Sequence, residues 1–165
     1  MTDPVAPSIV KASATLARAQ AAWIAAMEPW RGLGYQPSAL GRWLARAAGQ
    51  GQVWIARDGG GSRRQQPVQG IIVTQEGFLL GTFVALLAVR PAQSGRGIGR
   101  ALVQHMAART FARRRWLYVS HDSGNRPAQR FYRRLGFARV GALPDLIKAG
   151  HVELLLRKGR PPAAR

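Results

Sequence analysis

The segment from Val89 to Leu102, Val-Arg-Pro-Ala-Gln-Ser-Gly-Arg-Gly-Ile-Gly-Arg-Ala-Leu, carries the residue types that a phosphate site needs. An apolar strand ends at Val89, Pro91 interrupts its ladder, and Gly95, Gly97 and Gly99 lead into an amphipathic helix. A loop freed of Cβ atoms can turn several N–H groups toward one point ahead of the helix N-terminus, where the helix dipole adds to their partial charge. Such a loop holds a phosphate or pyrophosphate without a cationic side chain, and Arg96 and Arg100 add positive charge at the same place. The alternative is a glycine-rich helix entry with no ligand. Spacing excludes two commoner phosphate loops. A Walker loop needs Gly-Lys-Ser/Thr at its close, and no lysine lies near. The dinucleotide fingerprint G-x-G-x-x-G fails because Arg100 stands where Gly95 and Gly97 require the third glycine.

A second constellation follows at Asn125-Arg-Pro-Ala-Gln-Arg-Phe-Tyr-Arg-Arg-Leu-Gly-Phe137. Pro127 suits a first helical turn and Asn125 can cap it. Ala128, Phe131, Tyr132 and Leu135 fall at i, i+3, i+4 and i+7, one inward stripe, and Gly136 closes the helix in the left-handed region. Tyr132 therefore points inward, to the core or to a site. In the core, its hydroxyl would need a backbone partner.

Both segments resemble the GNAT superfamily of acetyl-CoA-dependent N-acetyltransferases. The first is similar to the cofactor loop Q/R-x-x-G-x-G/A, with Gly97 and Gly99 in its glycine positions. It departs at the Gln/Arg position, which holds Ser94, with Gln93 one residue early. The second resembles N-x-x-A-x-x-F-Y-x-x-L-G-F. The resemblance covers most of Val53 to Lys158 and weakens before it. It implies an α+β, GNAT-type acyltransferase fold, a mixed central sheet with helices on both faces. It also implies acetyl-CoA as co-substrate, with transfer of its acetyl group to a primary amine by direct attack in a ternary complex. Leu87, Ala88 and Val89 would pair with the pantetheine amides like an added strand. The pyrophosphate would sit on the amides of Arg96, Gly97, Ile98, Gly99 and Arg100. Asn125 would hydrogen-bond the pantetheine arm, and Tyr132 would give a proton to the departing thiolate.

An amine of pKa about 10.4 is protonated at neutral pH and needs a base or a water relay. The family often places a glutamate on the strand before the loop, but Gly81 to Val89 has no acid. Glu76, His121 or water remain as candidates. The ending Gly141 to Lys158 resembles bacterial members of the family, and there Asp145, His151 and Glu153 either line the acceptor pocket or fix a loop.

The chain has 165 residues and is expected to form one GNAT domain over 1–165, with 158–165 a frayed tail. Cysteine is absent, which excludes a disulfide frame and a thiolate nucleophile. The three histidines, His105, His121 and His151, are not spaced for a shared metal, so no metal is expected. No stretch approaches the about 20 apolar residues of a membrane span, and no signal-type run opens the chain, so the expected setting is cytoplasmic. The acceptor would be a small-molecule or peptide amine, and the family makes a homodimer a further expectation.

Net charge is +18, from 25 basic and 7 acidic residues. Such a balance attracts polyanions, and the competing hypothesis is a basic nucleic-acid- or ribosome-associated module on a GNAT scaffold. It is not favoured. The clusters Arg63-Arg64, Arg113-Arg114-Arg115 and Arg133-Arg134 carry few neighbouring exposed aromatics of the kind that stack bases, and read as solvated faces or as compositional bias.

The elements that must position these residues are read as follows. Ser8 to Ala12 is a strand. Ala14 to Met27 is one helix with Leu16, Ala19, Trp23 and Met27 on its core face, and Pro37 to Ala48 a second helix with Leu40, Trp43 and Leu44 inward. Gln52 to Arg57 and Val68 to Thr74 are strands around a mobile loop, Asp58 to Gln66. A turn near Glu76-Gly77 leads to the strand through Phe83, Leu86 and Val89. A helix from Gly97 to Arg113, a strand from Trp116 to Ser120, the helix Asn125 to Leu135, and strands at Phe137 to Val140 and Val152 to Arg157 complete the domain.

Overall fold

The computed structural model describes residues 6–59 and 66–161. Its strands and helices alternate in the order β1 (Ser8–Lys11), α1 (Ala14–Arg18), α2 (Ala21–Ala25), α3 (Pro37–Gly49), β2 (Val53–Arg57), β3 (Gly70–Phe78), β4 (Gly81–Val89), α4 (Ile98–Arg113), β5 (Trp116–Asp122), α5 (Arg126–Arg134), β6 (Ala138–Pro144) and β7 (Val152–Gly159). The strands form a seven-stranded sheet ordered β1-β2-β3-β4-β5-β7-β6. β1–β2, β2–β3, β5–β7 and β6–β7 pair antiparallel and β4–β5 parallel, so the sheet is mixed and the class α+β, as expected. Contacts group the chain into two compact units, Met1–Thr74 with Leu86–His105 and Gln75–Ala85 with Met106–Arg165. Among the described residues no helix is long and apolar enough to cross a membrane.

In the first unit, the core is built from Ile24, Leu40, Leu44, Val53, Ile55, Ile71, Val73, Leu86 and Ala88. Burying each branched side chain of this kind contributes about 1.5–3 kcal/mol. Gly70 sets the seat of the phosphate loop. A Cβ there would lie 2.9 Å from Ile98 Cγ2, 3.1 Å from Leu102 Cδ1 and 3.1 Å from the Ala88 carbonyl oxygen. Only a bare backbone lets β3 approach both the end of β4 and the first turns of α4 this closely.

The reading of Ala14 to Met27 as one helix is corrected. It is two five-residue helices separated at Ala19–Gln20. The buried positions are Ala17, Gln20, Ala21, Ile24 and Ala25, while Ala19 is exposed and Leu16, Trp23 and Met27 are only partly covered. Gln20 explains the offset. Buried at the break, its amide donates to the Leu16 carbonyl at 2.8 Å and accepts from Trp23 Nε1 at 3.0 Å. A polar side chain competing for backbone groups in this way favours an interruption.

The second unit holds the β3–β4 hairpin tip. The turn expected at Glu76-Gly77 falls instead on Leu79 and Leu80, with φ of 42° and 61°, and β3 runs on through Gly77 to Phe78. Positive φ at both central residues is the geometry of a type I′ hairpin turn, which matches strand twist even when leucine must adopt it. The aromatic cluster beneath compensates. Phe78 packs on Phe83 and Tyr118 at 5.0 and 5.2 Å between ring centres, and the Tyr118 hydroxyl donates to the Leu79 carbonyl at 3.2 Å.

Three strands are longer than their apolar runs. β5 continues to Asp122 because β7 pairs with it along its whole length, from Trp116–Gly159 to Asp122–Glu153. β6 extends to Pro144 on the same partner. Lys158 and Gly159 belong to β7, and the Arg160 N–H donates to the Arg115 carbonyl at 3.0 Å, so the expected frayed tail does not begin at 158. Residues 162–165 and the part of the expected mobile loop at 60–65, including Arg63-Arg64, lie outside the described residues.

Candidate active site

The first unit carries the phosphate loop. After β4 a single 3-10 turn at Pro91–Gln93 is closed by Gln93 N–H to Arg90 O at 2.8 Å and Ser94 N–H to Pro91 O at 3.1 Å. Gly95 and Gly97 then take φ of 78° and 77°, the left-handed region that glycine enters without strain. The first bond of α4 is donated by Ala101 to the Gly97 carbonyl at 2.9 Å. The N–H groups of Ile98, Gly99 and Arg100 thus precede the helical ladder. Among the described residues no acceptor meets them, or the N–H groups of Gly95, Arg96 and Gly97. Unpaired donors at a helix N-terminus are the anion-binding arrangement read from the sequence. Arg96 and Arg100 are exposed, and Arg96 Nη1 donates to Gln93 Oε1 at 3.3 Å. Ala88 is buried, with Leu87 and Val89 half-buried beside it.

Sequence reasoning missed the residue that fixes this loop's root. The Arg90 N–H donates to the Gln69 carbonyl at 2.9 Å, and its Nε donates to the Val68 carbonyl at 2.6 Å. Its guanidinium reaches Gln20 Oε1 at 3.4 Å and lies 4.8 Å from the centre of the Trp23 ring. The start of the loop is therefore bolted to the residues leading into β3 and to the α1–α2 break. The one signal in the sequence was Gln20, a polar residue inside an alanine-rich apolar run.

The second unit carries Asn125 and Tyr132, the side chains that the sequence singled out. Asn125 caps α5, its Oδ1 accepting from the Ala128 N–H at 3.1 Å, and Pro127 stands in the first turn. Tyr132 and Leu135 are buried, Ala128 and Phe131 half-buried, and Gly136 takes φ of 82° as expected. The Tyr132 ring meets Phe131 and Phe137 edge-on at 5.0 and 5.4 Å and lies parallel to His121 at 6.3 Å. Among the described residues nothing hydrogen-bonds its hydroxyl, so the backbone partner a core tyrosine would need is not there. Burial pushes the phenol well above its ordinary value.

His121 belongs to β5 rather than to a following loop. It is buried, with Nδ1 2.8 Å from the Asp122 carbonyl oxygen, and its Nε2 is buried without a hydrogen-bond partner among the described residues. Glu76 stands at the far end of β3 with its side chain 67% exposed, 4.0 Å from Arg114 Nη2.

Asp145 and His151 fix a loop. Asp145, at φ 57°, accepts the Gly150 N–H on Oδ1 at 2.7 Å, and its own N–H donates to the His151 carbonyl at 2.8 Å. His151 Nδ1 donates to Asp122 Oδ2 at 2.8 Å, while the Gly124 N–H donates to Asp122 Oδ1 at 2.7 Å. The His151 hydrogen bond, then that of Gly124, holds the Asp122 carboxyl below its ordinary value. Glu153 is half-buried on β7, opposite Asp122. One basic cluster does have an aromatic neighbour: Arg157 and Arg115 lie 4.0 and 5.0 Å from the Trp116 ring centre.

An α+β sheet of seven strands with a glycine-entered helix after its fourth strand defines the class of protein. The family is set by the model described as Acetyltransferase (GNAT) domain, which matches residues 49–139. The chain belongs to the GNAT acetyltransferase family. Solved structures share its fold at low identity. A GNAT-family acetyltransferase from Bacillus cereus matches with a TM-score of 0.73 and 17% identity, over 94% of this chain and 99% of that one. An aminoglycoside 6′-N-acetyltransferase complexed with coenzyme A matches with TM-score 0.73 and 17% identity, over 96% and 99%. Arabidopsis thaliana NAA60, in complex with a bisubstrate analogue, matches with TM-score 0.73 and 18% identity, over 93% and 98%. No curated protein sequence matches.

Proposed function

We propose that the chain transfers the acetyl group of acetyl-CoA to a primary amine by direct attack in a ternary complex. The observation that carries this reading is the run of unpaired N–H groups from Gly95 to Arg100 at the start of α4. Those donors suit a diphosphate, and coenzyme A is the diphosphate carried by a related fold in the aminoglycoside acetyltransferase complex. Arg96, Gly97, Ile98, Gly99 and Arg100 would hold the pyrophosphate, Leu87 to Val89 the pantetheine amides, and Asn125 the pantetheine arm through Nδ2, its Oδ1 being taken by the helix cap.

In the reaction the amine nitrogen attacks the thioester carbon, the C–S bond breaks, and the sulfur takes its proton from Tyr132. A backbone N–H polarises the thioester carbonyl, and holding both reactants together supplies most of the acceleration. Tyr132 can serve as the acid because a phenol is protonated at neutral pH, and its proton has to move only when the basic thiolate forms. The acceptor is a small-molecule or peptide amine, since the fold does not fix it.

The test is thermal. Saturating acetyl-CoA at about 100 times its Kd stabilises the native state by about 2.7 kcal/mol, a shift of several degrees in Tm. A panel of primary amines then reports transfer by release of free CoA. No Tm shift at millimolar acetyl-CoA refutes the proposal.

A further inference from the structure

We infer that His121 is the base for this reaction: its Nε2 takes the proton from the acceptor amine, with the ring's tautomer set by the main-chain carbonyl of Asp122. The inference rests on the acetyl-transfer reading above and assigns the role that the sequence left open among Glu76, His121 and water.

Nδ1 of His121 makes a short contact with the main chain. A carbonyl oxygen only accepts, so at 2.8 Å from the Asp122 carbonyl Nδ1 must carry the hydrogen. In a neutral imidazole the lone pair is then on Nε2. That atom is buried and meets no donor among the described residues, an uncompensated acceptor of a kind that folded chains seldom keep unless something fills it. Its ring lies parallel to Tyr132, interplanar angle 6°, so the basic nitrogen and the proton-donating phenol belong to one buried stack. Among the described residues neither polar atom in that stack has a hydrogen-bond partner. Two adjacent unfilled groups, one a proton acceptor and one a donor, fit the two proton transfers of amide formation.

The surroundings leave the Nδ1 hydrogen to the main chain. Across the β5–β7 ladder His121 faces Leu154, and from α5 it faces Tyr132. The Asp122 carboxylate is occupied by the Gly124 N–H and by His151, and Glu153 stands opposite Asp122, not opposite His121. No carboxylate therefore takes the Nδ1 hydrogen, and the carbonyl bond that fixes the tautomer also stabilises the imidazolium once formed. Glu76 has neither burial nor an unfilled site, being exposed and near Arg114.

Protons balance as follows. An ammonium gives its first proton to His121 Nε2, which passes it to water. The free amine attacks, and the second N–H proton, lost from nitrogen as the C–S bond breaks, restores the one that Tyr132 gives to sulfur. An ammonium and acetyl-CoA thus become an acetamide, CoA thiol and one released proton.

Two measurements test the assignment. Nitrogen-15 NMR of the wild-type ring, recorded at a pH where the imidazole is uncharged, is expected to place the hydrogen on Nδ1; an Nε2–H tautomer overturns it. Steady-state kinetics then use the amine of the panel that releases CoA fastest. His121→Gln and His121→Asn are expected to lower kcat/KM by about 10²–10⁴-fold while the acetyl-CoA Tm shift is kept. In both variants the remaining rate should follow the free-amine fraction, rising about tenfold per pH unit toward the amine's own pKa, and added imidazole should restore part of it. A fall of less than threefold with the wild-type pH profile overturns the role of His121 alone. A wild-type protein without an acetyl-CoA Tm shift removes the reading beneath it, and the assignment with it.

Discussion

Removing a single oxygen from Tyr132 separates packing from chemistry at this position. The ring is held by Phe131 at 5.0 Å and 71°, by Phe137 at 5.4 Å and 68°, and by the parallel face of His121, and none of these contacts uses the hydroxyl. With no hydrogen bond to lose, Tyr132→Phe should change stability by less than about 1 kcal/mol, whereas Tyr132→Ala would open a cavity costing about 3–5 kcal/mol. The catalytic effect runs the other way. A positioned acid is worth about 10²–10⁴ in rate, or about 2.7–5.4 kcal/mol of barrier, so kcat should fall by that factor while the KM for acetyl-CoA stays within about threefold. Scanning calorimetry gives the first number and CoA release the second. A Tyr132→Phe enzyme with kcat within twofold of wild type refutes the role. The same substitution has a pH signature. Because burial raises the phenol in the folded chain, the unfolded tyrosine, near pKa 10, ionises first, and stability drops as pH rises above about 10. Below that pH both states are protonated and the group adds no slope. Tyr132→Phe should therefore flatten the alkaline end of the stability curve and leave the neutral region unchanged.

Gly97→Ala forces an L residue into φ of 77°, costing about 1–2 kcal/mol, although nothing lies within 4 Å of its Cβ. The loop should therefore distort rather than the core, and the measurement is an acetyl-CoA Tm shift reduced in addition to a fall of a few degrees in the apo Tm. Gly70→Ala does the reverse, pressing a methyl group into Ile98, Leu102 and the Ala88 carbonyl, with a loss of about 1–3 kcal/mol read from urea unfolding.

Much of the fold was legible where local signals agreed. The helix over Asn125 to Leu135 carried a cap, a first-turn proline, an inward stripe and a closing glycine, and all four are found. Between Ala14 and Met27 the signals disagreed, because an alanine-rich apolar run says nothing of where a buried glutamine will break it. The hairpin turn was misplaced because Gly77 is the stronger turn former, yet the pairing of β3 favoured Leu79 and Leu80. At the site, residue spacing makes the glycine turn and the inward direction of Tyr132 legible, while the roles expected of them come from the family resemblance. What spacing could not reveal was long range: Arg90 reaches Gln20, 70 residues away in sequence, and Tyr132 finds no acceptor for its hydroxyl.

The departure at Ser94 shows why the loop tolerates an unusual side chain. Ser94 contributes its main chain, the N–H closing the 3-10 turn on Pro91, and Gln93 is engaged with Arg96. The groups proposed to bind the anion are themselves backbone amides, whose direction depends on the φ values of Gly95 and Gly97 and on the anchoring of Arg90 to Val68. A lost glutamine or arginine at position 94 removes one contact, while a lost positive φ redirects several donors at once. Sensitivity should therefore fall on glycines and on the Arg90 anchor, not on the exposed cations.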